Sequence, residues 1–287
     1  MERASGIDRL SEWETSMSEQ ASWRELNRAM WDAKAPLHVA SPVYDVAGFR
    51  AGRSKLRPHE IADLGDVTGK QLIHLQCHFG LDTLSWARLG ARVTGVDFSD
   101  PAVRTANELA RDIGVEAHFV TADVYDAAEA VEHRSFDIVY TGVGALCWLP
   151  DIDRWARVVR DLLRPGGELY LFEFHPVKWM IEGAAPSAVE IRDGYFTPPE
   201  GFREAGGVTY ADASAASAPT VQWNHPLGEV VTALAQAGLR IESLRELDRD
   251  VLRQWDMMER AEDGMYRMPA NRPSLPLMYV LRARREG

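Results

Sequence analysis

HLQCHFGLDTLSWARLGARVTGVDFS, residues 74–99, decides the fold. It starts at the end of a short apolar run, QLIHL (71–75), which reads as a strand. LDTLSWARLG (81–90) has apolar residues at helical spacing and stops at a glycine. ARVTGVD (91–97) reads as a second strand. A strand, a tight loop, a helix and a strand in so few residues make a βαβ unit, and that unit needs a parallel sheet. The pattern then repeats. SDPAVRTANELARDIG opens with Ser99 as an N-cap and Pro101 in the first turn, and ends at Gly114. VEAHFVTAD (115–123) and FDIVYTG (136–142) are strands three and four. IDRWARVVRDLL (152–163) is an amphipathic helix that stops at an Arg-Pro-Gly-Gly turn, and ELYLFEF (168–174) is strand five. A further helix, HPLGEVVTALAQAG (225–238), and two closing strands, LRIESLREL and LPLMYVLRAR, complete the pattern. The expected fold is α/β: a doubly wound, mostly parallel seven-stranded sheet.

Outside this core, residues 1–68 read as an N-terminal helical segment that, with the insertion, forms a lid over an aromatic pocket. Its irregular stretch, 41–53, is broken by Pro42, Gly48 and Gly52. The core domain is 69–287, with an insertion at about 176–224. The insertion is too long for an ordinary connection, and its aromatic residues make it an ordered lid. The 287 residues are 46% apolar, enough for a substantial core. Lys and Arg number 32 against 43 Asp and Glu, a net charge of −11. That balance repels phosphate backbones and anionic membrane surfaces, so neither nucleic acid nor membrane is an expected partner. No run approaches the roughly 18–20 apolar residues of a membrane span. The polar, acidic start is no secretory signal. Cys77 and Cys147 sit in no CxxC pair and read as reduced thiols of a cytoplasmic protein, with no ligand set for a metal. Only four of the basic residues are lysines: Lys34, Lys55, Lys70 and Lys178.

In open parallel sheets the ligand binds at the carboxyl ends of the strands. Strand one runs into Gln76-Cys77-His78-Phe79-Gly80. Strand two ends in Asp97, a carboxylate suited to two ribose hydroxyls. Strand three ends in Asp123, placed to accept from an exocyclic amine. A strand-end aspartate taken alone is more often a helix cap or a solvated end than a ribose ligand. A nicotinamide dinucleotide wants G-x-G-x-x-G after strand one, which Gln76, His78 and Leu81 do not offer. Strand five ends in Glu173-Phe174-His175-Pro176. Glu173 and His175 are two apart on a strand and so face one side, as a base and its orienting partner would. Glu173 bonded to backbone amides and His175 capping a turn are the plainer alternatives. His225 is a third candidate catalytic residue, or a cap for the helix it precedes. Trp31, Trp148, Tyr195, Tyr210 and Trp223 are candidate aromatic walls of a substrate pocket.

With ADVYD, FDIVYTG and LLRPGGELYLFEF behind it, the opening stretch resembles class I S-adenosylmethionine-dependent methyltransferases. More narrowly, it resembles bacterial small-molecule methyltransferases with an LQCxxGxDTL first motif. The resemblance covers about 69–175 by ordered motifs, and 225–283 more weakly. It implies a Rossmann-like methyltransferase fold, S-adenosylmethionine as cofactor, and a small organic acceptor methylated on oxygen, nitrogen or carbon, natural-product intermediates among them. In that family pattern Asp97 holds the ribose and Phe98 flanks the adenine. Asp123 and Val124 meet the adenine edge and ring. Gly80 is the last glycine of the loop, and Gly142 passes the methionine portion. The Gln76 backbone carbonyl receives the ammonium, while Gln76 and His78 stand where glycines are usual and His74 where an acid is usual. Tyr44 and Arg53 fall in the segment that covers the cofactor, with Arg53 facing the methionine carboxylate. The altered loop leaves a second reading, a non-catalytic small-molecule-binding protein that keeps the fold. Aromatic residues within 1–40 are candidates for a homodimer contact.

Overall fold

The computed structural model describes residues 6–185, 188–191, 194–209 and 212–287. A long helix, α1 (Gly6–Ala40), leads into two short ones, α2 (Val46–Arg50) and α3 (Pro58–Leu64). The core then alternates: β1 (Gln71–Leu75), α4 (Leu81–Arg88), β2 (Arg92–Asp97), α5 (Asp100–Asp112) and β3 (Ala117–Thr121). After α6 (Ala127–Ala130) come β4 (Phe136–Thr141), α7 (Ile152–Leu162) and β5 (Leu163–Phe174). The insertion carries six short strands: β6 (Ile181–Ala185), β7 (Ala188–Ile191), β8 (Phe202–Glu204), β9 (Gly207–Thr209), β10 (Asp212–Ser217) and β11 (Thr220–Gln222). Helix α8 (Leu227–Gln236) and β12 (Leu239–Leu247) follow. A small sheet of β13 (Arg249–Asp250), β14 (Glu259–Arg260) and β15 (Tyr266–Arg267) precedes the last strand, β16 (Met278–Arg285).

The main sheet has seven strands in the order β12-β16-β5-β4-β1-β2-β3. Neighbours from β3 to β5 are parallel, and β16 runs antiparallel to both β5 and β12. This is the Rossmann-like methyltransferase sheet expected from the motif order. Strand alternation divides the core. Ile73, Val139, Leu169 and Leu171 face α7 and α8 on one side. Leu72, Ile138, Tyr140 and Phe172 face α3 and Trp86 of α4 on the other. Both faces are covered, which is why these strands read as near-continuous apolar runs.

Three expectations need correction. The stretch 41–53 contains α2, started by the Asp45 carboxylate accepting from Gly48 N–H at 3.1 Å. The Arg-Pro-Gly-Gly turn does not precede β5 but lies within it. Leu163 pairs with Phe136 and Glu168 with Ile138, so the turn is a wide bulge in the β5 edge. Residues 248–277, between the two closing strands, make a second excursion built on the β13–β15 sheet, which the sequence analysis did not assign.

Gly80 supplies the turn from β1 into α4 at φ +79°. A Cβ there would stand 2.7 Å from the Phe119 ring. Gly80→Ala therefore adds a left-handed-backbone penalty to a clash, about 2–4 kcal/mol together. Thermal unfolding of the variant should show a Tm lower by roughly 5–10 °C.

Candidate active site

The carboxyl ends of β1 to β4 open into a cavity of about 170 Å³. Asp97 and Phe98 after β2, Asp123 and Val124 after β3, and Gly142 after β4 all border it. The Asp97 carboxylate accepts from His78 N–H at 2.7 Å and from Ser99 N–H at 2.9 Å. Burial pushes its pKa up to about 6, against the pull of those amides. Asp123 is engaged too. Tyr125 N–H donates to Oδ1 at 2.9 Å, and Arg24 Nε of α1 lies 2.7 Å from Oδ2.

The loop after β1 is unusual for what occupies it. Gln76 and His78 sit at φ +56° and +51°, backbone that glycine adopts without strain. Their side chains are held inward. Gln76 Nε2 donates to Ala145 O at 2.8 Å, tying this loop to the one after β4. Gln76 Oε1 is buried and accepts no hydrogen bond among the described residues. His78 Nε2 lies 3.0 Å from His38 Nδ1 of α1. One ring must donate and the other accept, so the accepting ring is neutral. Burial agrees, holding His38 down at about 4 and His78 well below its usual value. His74 is buried on β1 with Nδ1 2.8 Å from Thr83 Oγ1, and burial lowers its pKa to about 3. A Cβ on Gly142 would lie 3.3 Å from His74 Nε2, so this crossing wants no side chain at Gly142.

A larger cavity, about 500 Å³, adjoins the first. Trp31, Tyr44, His78, Asp82 and Trp148 border both. Gly80 borders only the second. Its farther wall comes from Phe172 and Phe174 of β5, Lys178 and Trp179 after it, and Leu252 and Gln254 of the late excursion. Glu60 of α3 faces it, accepting from Arg57 N–H at 2.6 Å and from the Tyr140 hydroxyl. Burial raises the Glu60 pKa to about 7. Asp82 stands apart from these networks: its carboxylate accepts no hydrogen bond among the described residues. Burial raises its pKa, and the charges of Arg57 and Lys55 pull it back.

The structure does not bring Glu173, His175, His225 or Arg53 to either cavity. Glu173 accepts four backbone N–H bonds: Gly144 at 2.7 Å, Ala145 at 2.8 Å, Leu146 at 3.0 Å and Phe174 at 2.6 Å. It is an anchor for the loop after β4, not an available base. His175 does share its side of the strand, but Val177 N–H donates to its Nδ1 at 3.1 Å and Nε2 bonds Glu246 at 2.8 Å. The cavity face of β5 is the alternate one, with Phe172 and Phe174. His225 Nε2 donates to Leu149 O at 2.7 Å, and Nδ1 lies 3.2 Å from Glu229. It joins α8 to the loop before α7. Arg53 is 72% exposed and pairs with Asp45 at 3.0 Å.

Of the candidate aromatic walls, Trp31 and Trp148 meet edge to face with centroids 5.3 Å apart and border both cavities. Trp223 is buried against Trp23, donating to Pro199 O at 3.1 Å. Trp23 is the tryptophan of that pair that borders the first cavity. Tyr195 packs on Phe196 at neither cavity. Tyr210 lies outside the described residues. Helix α1 is fixed to the insertion by Asn27, which donates to Val221 O at 2.8 Å and accepts from Val221 N–H at 2.9 Å. Sequence reasoning missed His38, Glu60 and Asp82. For Asp82 a signal was present: two residues past Gly80, it falls in the first turn of a helix that starts at the strand ends. No cluster of three His, Cys, Asp or Glu suited to a metal occurs among the described residues. No helix among them is long and apolar enough to cross a membrane.

Residues 73–169 match a family model described as a methyltransferase domain. The ubiquinone biosynthesis O-methyltransferase of Xanthomonas euvesicatoria pv. vesicatoria is 31% identical over 157 residues, 54% of this chain and 59% of that protein. The protein of the same name from Ralstonia nicotianae is 29% identical over 160 residues, 55% and 61% of the two chains. The chain thus spans about three fifths of the length of these curated relatives. Among solved structures, an S-adenosylmethionine dependent methyltransferase from Mesorhizobium loti superposes with a TM-score of 0.56 at 23% identity, over 82% of this chain and all of that one. One from Methanosarcina mazei superposes at 0.53 with 19% identity, over 80% and 98%. These likenesses are of fold.

Proposed function

We propose, from the premise that the chain carries a class I methyltransferase domain, that it binds S-adenosylmethionine in the first cavity and methylates a small organic acceptor in the second. The observation that carries this reading is the convergence of Asp97, Asp123 and Gly142 from three strand ends onto one cavity. The residues fit the group. Asp97 offers a buried carboxylate to a ribose diol, and Phe98 and Val124 offer apolar faces to a flat base. Gln76 Oε1 is a buried acceptor without a donor, suited to an ammonium. Trp31, Tyr44 and Trp148 give aromatic faces that attract a cation.

When bound, this cofactor supplies a methyl group on a positively charged sulfur, taken by the acceptor in an in-line displacement. The protein's own work is positioning and proton removal. Asp82 borders both cavities, where an acceptor atom meets the cofactor. Its unbonded carboxylate, with pKa raised by burial, takes the proton that an acceptor hydroxyl gives up as its oxygen bonds to the methyl carbon. The O-methyltransferase relatives favour oxygen as the methylated atom.

Calorimetric titration with S-adenosylmethionine, S-adenosylhomocysteine and NADH tests the reading. Micromolar binding of the two sulfur nucleosides and none of NADH is the expected result. The affinity has a pH signature. Two ribose hydroxyls can both donate only to ionised Asp97, since the protonated acid turns one oxygen into a donor, and burial pushes its pKa up to about 6. Binding should weaken as pH falls through about 6 and level off above about 7. His38 stays neutral across this window because its pKa is held near 4. Equal binding at pH 5 and pH 7.5 would remove Asp97 from the site. Failure of both nucleosides to bind would overturn the reading.

A further inference from the structure

The second cavity is cationic in an acidic protein. Acids outnumber bases 43 to 32 over the whole chain, yet Lys34, Lys55, Arg57 and Lys178 border this cavity against Glu60 and Asp82. The chain has four lysines, and three of them are here. Two of the four cations have evident roles within the protein. Lys178 is buried and paired with buried Asp250 at 2.8 Å. Lys34 lies 5.8 Å from the centre of the Trp31 ring. Lys55 and Arg57 differ. Their backbone groups are bonded, the N–H groups to Ser85 and Glu60 and the Arg57 carbonyl to the Glu60 and Ile61 amides, but no side-chain hydrogen bond is made by either among the described residues. Among the described residues neither side chain has a carboxylate within ion-pair distance. Half-buried charges facing a cavity without a partner are costly unless something of opposite sign joins them. The nearby acids do not fill that place. Glu60 is occupied by Tyr140 and the Arg57 amide, and its pKa near 7 leaves it partly uncharged at neutral pH. Asp82 lies beyond ion-pair distance.

We propose that the acceptor is an aromatic acid whose carboxylate is held by Lys55 and Arg57. The inference rests on the second cavity being the acceptor site, and it adds the acceptor's charge. The guanidinium fork of Arg57 matches a planar carboxylate, and Lys55 adds a point charge beside it. Phe172, Phe174 and Trp179 give the ring a flat apolar bed. Asp82 and Trp148, bordering both cavities, face the edge of the ring that is methylated. A cavity of about 500 Å³ takes an acid of one to three rings.

The test uses two matched pairs, 4-hydroxybenzoate with 4-hydroxybenzamide and 2-naphthoate with 2-naphthamide. Each is titrated calorimetrically into the full chain, with and without saturating S-adenosylhomocysteine. At least one acid should bind tenfold or more tightly than its amide. In Arg57→Met and Lys55→Met that preference should shrink to threefold or less, with affinity for the amide and for S-adenosylhomocysteine unchanged. The unchanged nucleoside affinity also reports that both variants are folded. Neither acid binding more tightly than its amide, or an intact preference in both variants, overturns the proposal. Loss of nucleoside binding in the unaltered protein overturns the cofactor reading instead, and the acid preference without nucleoside decides this one independently.

Discussion

Asp97→Asn is expected to weaken S-adenosylmethionine binding about a hundredfold. A buried carboxylate at the end of β2 can accept from both ribose hydroxyls while it keeps the amides of His78 and Ser99. Asparagine keeps the shape but replaces one acceptor oxygen with a donor and removes the charge. Hydrogen bonds to charged groups contribute roughly 1.5–3 kcal/mol each, and about 3 kcal/mol corresponds to a little over two decades in Kd. The variant should also lose the fall in affinity below pH 6, since the group that titrates there is gone. Calorimetry at pH 5.5 and 7.5 reads both effects. Unchanged affinity at neutral pH would mean that the nucleoside does not sit at β2.

Glu173→Ala should produce a large loss of stability. The carboxylate satisfies four backbone N–H groups of the loop after β4 and of its own strand. Removing it leaves those donors in a buried place with no partner. The expected cost is about 4 kcal/mol, a fall of roughly 10 °C in Tm. Glu173→Gln keeps one acceptor oxygen and should lose about half as much. The loop it anchors carries Gly144 and Ala145, which border the first cavity, so on the proposed function nucleoside affinity should fall as well. A general base would behave oppositely: its alanine variant would keep the Tm and the cofactor and lose only turnover. Thermal melts of the two variants separate these roles.

This contrast marks where the sequence could be read and where it could not. The parallel strands were legible because burial on both faces makes them apolar runs, α5 because Ser99 caps it, and α7 because its apolar residues recur at helical spacing. The strand-end acids Asp97 and Asp123 were legible because sheet geometry brings ligands to those ends and the order of the neighbouring motifs singled them out from ordinary helix caps. Side-chain direction at the end of β5 was not. Alternation places Glu173 and His175 on one side, but which side meets the cavity depends on where β4 and its loop lie. The Arg-Pro-Gly-Gly bulge, whose residues are counted in the strand but do not pair one for one, hides that register further. The partners of the buried site are farther out of reach. His38 meets His78 across 40 positions, and Glu60 meets Tyr140 across 80. No periodicity carries such a pairing. The late excursion gives Leu252 and Gln254 to the second cavity from a stretch without a motif.

The wall common to the two cavities has an energetic consequence. Trp31, Tyr44, His78, Asp82 and Trp148 each touch both spaces, so a molecule in one restricts the rotamers that the other must meet. The second ligand to arrive finds side chains already ordered and loses less conformational entropy. Thermodynamic linkage makes that gain symmetric: whatever factor the nucleoside adds to acceptor affinity, the acceptor adds to nucleoside affinity. The demethylated product and a spent acceptor hold one another in place by the same factor, and their escape is slowest as a pair.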